Sequence, residues 1–354
     1  MDHIDVNPMG LDGFEFCEFT SPDPDKLASQ FEAMGFVPAS THPTKKVTRY
    51  KQGRINLLLN REDAGHAAAF RQEHGPSASA MAFRVQDARA AYDAAIERGA
   101  KPAPAGAALD DIPALEGIGG SILYLVDRHG AKGSIYGSWD QVPGAAEAEA
   151  RNNVGLDLLD HLTHNVRRGQ MRVWSQFYGR IFGFEEQKYF DIKGKATGLF
   201  SQAMIAPDKA IRIPLNESQD DKSQIEEFIK DYNGEGIQHL ALTTDDIYTT
   251  VEKLRERGVK LQDTIETYYE LVDKRVPGHG EDLDRLKKNR ILIDGDVEEE
   301  GILLQIFTEN MVGPIFFEII QRKGNEGFGN GNFQALYESI ELDQIRRGVI
   351  TVDA

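Results

Sequence analysis

The chain repeats itself. Residues 97–101 read ERGAK and residues 256–260 read ERGVK, an offset of 159. Each stretch closes a segment whose apolar side chains recur at helical spacing: Tyr92, Ala95, Ile96 and Gly99 in the first, Ile247, Val251 and Leu254 in the second. Each of these helices follows an apolar strand, ASAMAFRV or GIQHLALTT. A second match lies earlier in each copy. Met34, Gly35 and Phe36 match Phe182, Gly183 and Phe184 at an offset of 148. They close short amphipathic helices carrying Leu27, Phe31 and Met34, and Trp174, Phe177, Tyr178 and Ile181, after the strands FEFCEF and DHLTHNV. Two matches in the same order, with the same elements around them, mark a duplication. A duplicated chain must fold as one unit built twice.

The length agrees: 354 residues suit two domains of about 150. The polar, small-residue stretch 139–153, WDQVPGAAEAEARNN, reads as a linker and places the boundary near residue 150. Between the paired elements lie β-rich segments, VTRYKQGRINLLLN in the first copy and TGLFSQAMIA then AIRIPLN in the second. Several strands running together with separated helices predict an α+β fold and not a doubly wound parallel sheet. The second half carries the insertions. One, roughly residues 262–300, is charged and reads as loop; the other is the tail from Gly324 to Ile345. In the tail, GNEGFGNGNF precedes an apolar helical face of Phe333, Leu336, Tyr337 and Ile340. Its glycines do not follow a strand and are not continued by a βαβ unit, so they are no nucleotide-binding loop. They read as a hinge for a C-terminal helix that covers a pocket.

Charge narrows the partners. Lys and Arg number 40, Asp and Glu 57, a net charge of −17. Such a surface repels phosphate backbones and anionic headgroups, which excludes nucleic acid and membrane as main partners. The one cysteine, Cys17, forms no internal disulfide. The opening MDHIDVNPMG lacks the basic and apolar regions of a signal peptide. No run of about 18 apolar residues spans a bilayer. The expectation is a cytoplasmic protein.

The copies differ in chemistry. At the offset of 159, Ala80 matches His239. His161 lies on the opening strand of the second copy, and the matching FEFCEF has no histidine. Glu318 lies inside the closing strand PIFFEII, whose rough counterpart SIYGSW has no acid. A lone strand histidine is most often a hydrogen-bonded core group. Glu318 is harder to dismiss, because a carboxylate between Phe317 and Ile319 faces a large desolvation cost unless paired or metal-bound. Alternation puts Phe316, Glu318 and Ile320 on one face, and Ile237, His239 and Ala241 on one face. Two imidazoles and one carboxylate make the facial triad of non-haem Fe(II) oxygen chemistry; the same set also holds catalytic zinc. His164 competes with His161. Alternation sets His161, Thr163 and Asn165 against Asp160, Leu162 and His164, and periodicity does not choose.

Other residues read as a pocket. In GILLQIF, Gln305 and Phe307 share a face with Leu303. Asn216 and Ser201 sit at strand ends, where turn roles compete with binding. Ser223 and Glu226 form a capping box around Gln224, with Ile225, Phe228 and Ile229 turned inward. Gln238 is expected on the face opposite His239.

With these residues collected, the sequence resembles the 4-hydroxyphenylpyruvate dioxygenase family, the bacterial type most closely. The resemblance runs through nearly the whole chain. It is carried by NPMGLDGFEF, DHLTHNV, YFDIKG, IRIPLNE, GEGIQHLAL, TYYE, LLQIF, FFEIIQRKG and GFGNGNF. It implies two tandem vicinal-oxygen-chelate domains, each of paired βαβββ units. Residues 1–150 would form a metal-free structural domain, and 151–354 a catalytic domain closed by a C-terminal lid helix. It implies one Fe(II) per chain on His161, His239 and Glu318, which settles His161 over His164. It maps the substrate pocket onto Ser201, Asn216, Gln224, Gln305, Phe307, Phe316, Phe328, Asn332 and Phe333, with Gln305, Asn216 and Gln224 in catalytic roles.

The implied reaction is that of tyrosine catabolism. 4-Hydroxyphenylpyruvate and O2 give homogentisate and CO2 by decarboxylation, ring hydroxylation and side-chain migration. The 2-oxo acid is part of the substrate, so no separate one is needed. A homo-oligomer, dimer or tetramer, is expected. Two rivals share the architecture. Hydroxymandelate synthase uses the same substrate and site, but Asn216 and IPLNE look like the dioxygenase. A metal-free binding protein would not keep all three ligands in one copy.

Overall fold

The computed structural model describes residues 6–107, 109, 111–193, 198–332 and 334–336. The first half opens with β1 (Phe14–Thr20), α1 (Pro24–Ala33), β2 (Val37–Thr41), β3 (Val47–Gln52) and β4 (Ile55–Asn60). After α2 (His66–His74) come β5 (Ser77–Arg84), α3 (Ala88–Glu97), β6 (Ala114–Glu116), β7 (Ile122–Val126), β8 (Asp140–Gln141) and α4 (Ala145–Asn152). The second half runs β9 (Leu156–Val166), α5 (Met171–Phe182), β10 (Glu185–Lys193), β11 (Gly198–Ile205), β12 (Arg212–Ser218) and α6 (Gln224–Asp231). It continues with β13 (Gly236–Thr244), α7 (Ile247–Glu256), α8 (Glu266–Glu270), α9 (Val272–Arg275), α10 (Leu283–Asn289), β14 (Leu292–Asp296), β15 (Gly301–Phe307) and β16 (Phe316–Lys323).

The strands form two eight-stranded sheets, ordered β6-β7-β5-β1-β4-β3-β2-β8 and β10-β11-β12-β9-β13-β16-β15-β14. Read from opposite ends, and with the edge strands β14 and β8 set aside, the orders match: β9 stands where β1 does, β13 where β5 does, and β16 where β7 does. The mixed α+β architecture with a tandem repeat is as the sequence implied. The repeat reaches the helix ends. Asp87 caps α3 and Asp246 caps α7, each accepting a backbone N–H of the first turn. The glycines after those helices, Gly99 and Gly258, have φ of 91° and 81°. That left-handed turn is open to glycine and strained for other residues.

By contacts the residues group into two compact units. One holds those up to Asn153 with Leu158–Leu240 and Asn310–Phe316. The other holds Val154–Asp157, Ala241–Glu309 and the described residues from Phe317. In the first unit the inner face of the first sheet is filled by Phe16, Leu58, Ala80, Ile122 and Tyr124, with Tyr136 and Trp139 packed on them. In the second, Ala241, Leu303 and Ile320 form a buried apolar cluster.

Three expectations need correction. The counterpart of β16 is β7, not SIYGSW: Ile135–Ser138 is a 3-10 turn whose Ile135 and Tyr136 plug the first sheet. The stretch read as a linker is structured, since β8 pairs with β2, and Glu149 of α4 binds Lys51 at 2.7 Å. The charged insertion is not loop-like. Tyr268, Tyr269, Val272 and Leu286 are buried in α8, α9 and α10, and β14 extends the sheet edge. Its helices of five, four and seven residues are too short to show a periodic stripe. The proposed lid helix from Phe333 to Ile340 lies mostly outside the described residues, as does Phe333 itself.

Candidate metal centre

The second sheet brings together the three residues that the repeat singled out. The ligand atoms of His161, His239 and Glu318 all lie within 4.8 Å of one another. His161 and Glu318 are each 2% exposed. The two imidazoles stand at 76°, with ring centroids 5.6 Å apart, and Phe316 stacks on His239 at 4.8 Å.

Each donor is held by a neighbour. His161 Nδ1 lies 2.8 Å from Asp160 Oδ2. A carboxylate can only accept, so the ring proton sits on Nδ1 and Nε2 carries the lone pair. Arg212 holds the other oxygen of Asp160 at 3.4 Å. His239 Nδ1 lies 3.0 Å from Gln238 Oε1, which sets the same tautomer. Glu318 Oε1 accepts from Gln305 Nε2 at 2.9 Å. Orienting partners of this kind fix ring and carboxylate for coordination. The donor set therefore suits a divalent metal. Sequence alternation hides Asp160 and Gln238, because both fall on the face opposite their histidine. They reach it because Nδ1 is the ring nitrogen nearest the backbone, within range of an adjacent side chain.

His164 has a different fate. It faces α5 and pairs with the Tyr178 hydroxyl at 2.6 Å. Burial pushes the imidazole down to about 3, and pushes the Tyr178 phenol up. It is a neutral core group.

The pocket residues divide by strand. Phe307 sits directly across from Glu318, and Gln305 across from Ile320. Asn332 Nδ2 donates to Gln305 Oε1 at 2.8 Å. Phe328 is half-buried beneath the Arg322 guanidinium, 5.9 Å from it. On the other side of the sheet, Ser201 of β11 pairs with Asn216 of β12, and Asn216 with Asn165 of β9. Register partners share a face, and β9 alternation adds His161 to it. Ser201 and Asn216 are half-buried. Gln224 is exposed at the first turn of α6. Asn165 was missed as a site residue. It is 0% exposed, and neither of its amide atoms has a hydrogen-bond partner among the described residues. Its place on the His161 face was the signal.

The glycines of GFGNGN are required by close approach. Gly329 has φ of 71°, and a Cβ there would lie 1.5 Å from Gln305 Oε1. At Gly331 a Cβ would lie 2.1 Å from Asp294 Oδ1. The backbone passes against the group that holds Glu318.

Known proteins resemble this chain along its length. Residues 6–140 match the family described as hydroxyphenylpyruvate dioxygenase, N-terminal. Residues 158–271 match the glyoxalase/bleomycin resistance protein/dioxygenase superfamily. The 4-hydroxyphenylpyruvate dioxygenase of Pseudomonas aeruginosa is 59% identical over 97% of each chain. The hemolysin VllY of Vibrio vulnificus is 56% identical over 98% of each. Among solved structures, a mutant 4-hydroxymandelate synthase from Streptomyces coelicolor is 27% identical, with a TM-score of 0.78, over 95% of this chain and 100% of that one. No helix among the described residues is long and apolar enough to cross a membrane.

Proposed function

This chain belongs to the 4-hydroxyphenylpyruvate dioxygenase family, and we propose that it converts 4-hydroxyphenylpyruvate and O2 to homogentisate and CO2 with one Fe(II) per chain. The observation that carries the reading is the convergence of His161, His239 and Glu318 within 4.8 Å, each oriented by a partner. Bound there, Fe(II) supplies activation of O2 and a grip on the 2-oxo acid.

The protein's own residues do the rest. Asp160 and Gln238 keep the two imidazoles in the ligating tautomer. Gln305 holds Glu318 while its own carbonyl is held by Asn332. The ring of the substrate packs among Phe307, Phe316, Phe328 and Phe333, which exclude water from the oxidant. Ser201, Asn216 and Gln224 supply the polar contacts, and we add Asn165 to them. A buried amide with no partner among the described residues is costly unless something bonds to it, and the phenol or keto oxygen of a substrate does so. Residues 1–150 serve as the metal-free structural domain, and 151–354 as the catalytic domain with its C-terminal lid helix. The protein works in the cytoplasm as a homo-oligomer, dimer or tetramer.

Oxygen uptake by the iron-loaded protein with 4-hydroxyphenylpyruvate, followed by chromatography of the product, tests this. Homogentisate is expected. Hydroxymandelate as the main product would move the chain to the synthase, and the 59% identity to a named dioxygenase against 27% to a synthase favours the former. Iron-independent ligand binding with no oxygen uptake would make it a binding protein.

A further inference from the structure

A directional chain of hydrogen bonds runs from Glu318 to a tyrosine that belongs to no ligand or pocket set. Gln305 Nε2 donates to Glu318 at 2.9 Å, and Asn332 Nδ2 donates to Gln305 Oε1 at 2.8 Å. The Tyr268 hydroxyl then meets Asn332 Oδ1 at 2.6 Å. Tyr268 oxygen in turn accepts from Ile293 N–H at 2.9 Å and from Arg275 at 2.7 Å. Tyr268 and Gln305 are 0% and 2% exposed, and Asn332 is 3% exposed.

The polarity of this chain is forced. A carboxylate only accepts, so Gln305 must present its amide N–H to Glu318. Its carbonyl then faces Asn332, which must present its own amide N–H. The Asn332 carbonyl is left facing Tyr268, which must donate. Tyr268 already accepts two bonds, so its proton is what it has to offer. The carbonyl of Ile293 is a second acceptor at 3.1 Å, but Asn332 is nearer. Burial pushes the phenol up to about 12, against the pull of Arg275, so the proton is present at neutral pH. Turn Gln305 over, and its carbonyl faces the Glu318 carboxylate; turn Asn332 over, and its carbonyl faces that of Gln305.

We infer that Tyr268 is a positioning residue: its hydroxyl fixes the orientation of Asn332, hence of Gln305, and so holds Glu318 for the metal. The same anchor seats the C-terminal segment. Arg275 lies 3.8 Å from Asp294, and Asp294 accepts the Gly331 N–H at 2.8 Å. Metal affinity and the seating of residues 329–332 are therefore linked. The inference rests on the reading of His161, His239 and Glu318 as a metal site.

The test is Co(II) titration of the full-length protein stripped of metal, read by the ligand-field bands and the dissociation constant. Tyr268→Phe keeps the ring and removes the hydroxyl, with its bond to Asn332 and the two it accepts from Ile293 N–H and Arg275. Binding should weaken by about tenfold, the lower end for loss of an orienting partner, with altered bands. In a Gln305→Met background the relay is already cut, so Tyr268→Phe should add nothing. Should Tyr268→Phe fail to fold, Asn332→Leu breaks the same chain and carries the same expectations. Wild-type affinity and bands in the variant, or losses that add in the double variant, would overturn the relay. Wild-type protein that binds no Co(II) would instead refute the metal reading.

Discussion

Gly329→Ala is a one-carbon perturbation with a calculable effect. Two costs arise. The φ of 71° is left-handed, which costs a Cβ-bearing residue about 1 kcal/mol. The new Cβ would also lie 1.5, 2.4 and 2.7 Å from Oε1, Cδ and Nε2 of Gln305. The far end of a side chain normally swings aside cheaply. This one is 2% exposed and bonded at both ends, to Glu318 and Asn332. Moving it breaks one charged and one neutral hydrogen bond, together about 3 kcal/mol. The expected loss is on the order of 4 kcal/mol of stability, with weaker metal binding because Glu318 loses its support. Gly280→Ala is the control: its φ is 70°, and nothing lies within 4 Å of its Cβ. It should lose only the backbone strain, and bind metal normally. Denaturant unfolding and Co(II) titration measure both quantities. In a Gln305→Ala background the clash is gone, and Gly329→Ala should cost no more than Gly280→Ala. A Gly329→Ala protein as stable and as metal-competent as Gly280→Ala would refute the reasoning.

Glu318→Ala should fold and lose iron and turnover, with the apoprotein no less stable because a costly buried charge is gone; iron content, thermal melting and oxygen uptake check this. Asn165→Leu should leave stability unchanged or higher, and raise KM for 4-hydroxyphenylpyruvate by about tenfold, the worth of one hydrogen bond; steady-state kinetics measures it, and an unchanged KM would remove Asn165 from the pocket. His164 has its folded value depressed from 6.5 to about 3, so the unfolded chain takes up a proton that the fold refuses. Stability should fall as pH drops from 6.5 toward 3, with this group contributing up to about 1.4 kcal/mol per pH unit, and His164→Gln should flatten that slope. Deleting the chain from Gly324 should abolish or uncouple turnover. His161, His239 and Glu318 all precede Gly324 and remain, but the deletion removes Asn332 and with it the relay, so Co(II) affinity should fall by about tenfold.

The duplication was legible because helix ends carry local signals. Asp87 and Asp246, Gly99 and Gly258 sit at the same offset and do the same work in the fold. The ligands were legible only by comparison, since His161, His239 and Glu318 are 78 and 79 residues apart and form no local motif. The links among the supporting groups were not legible, although Gln305 and Asn332 were named as pocket residues. Tyr268 and Asn332 are 64 residues apart, and Asn332 and Gln305 are 27. No periodicity joins such positions; only the folded backbone does. The helices α8 and α9, which carry Tyr268 and Arg275, are too short to announce themselves.

The strand that replaces Glu318 in the first sheet shows how the two copies could part. In β7 the sequence is ILYLV, all of it buried. Ala80, at the place of His239, pairs with Ile122 of that strand, and the two pack with Phe16, Leu58 and Tyr124. A carboxylate in β7 would have no metal and no counterpart of Gln305 to bond it, at a cost of several kcal/mol. A lone histidine at residue 80 would displace packed apolar volume for no ligand. The three ligands are thus tolerable together and costly singly. In the first sheet this region is apolar throughout, with Tyr124 and Trp139 buried in one cluster with Ala80 and Ile122. The converse holds for β16. Glu318 lies between Phe317 and Ile319, both 0% exposed, and a neutral amide such as Gln305 does not balance a buried charge. On the proposed metal reading a bound cation does, and the acid then has a place in a strand otherwise built as core.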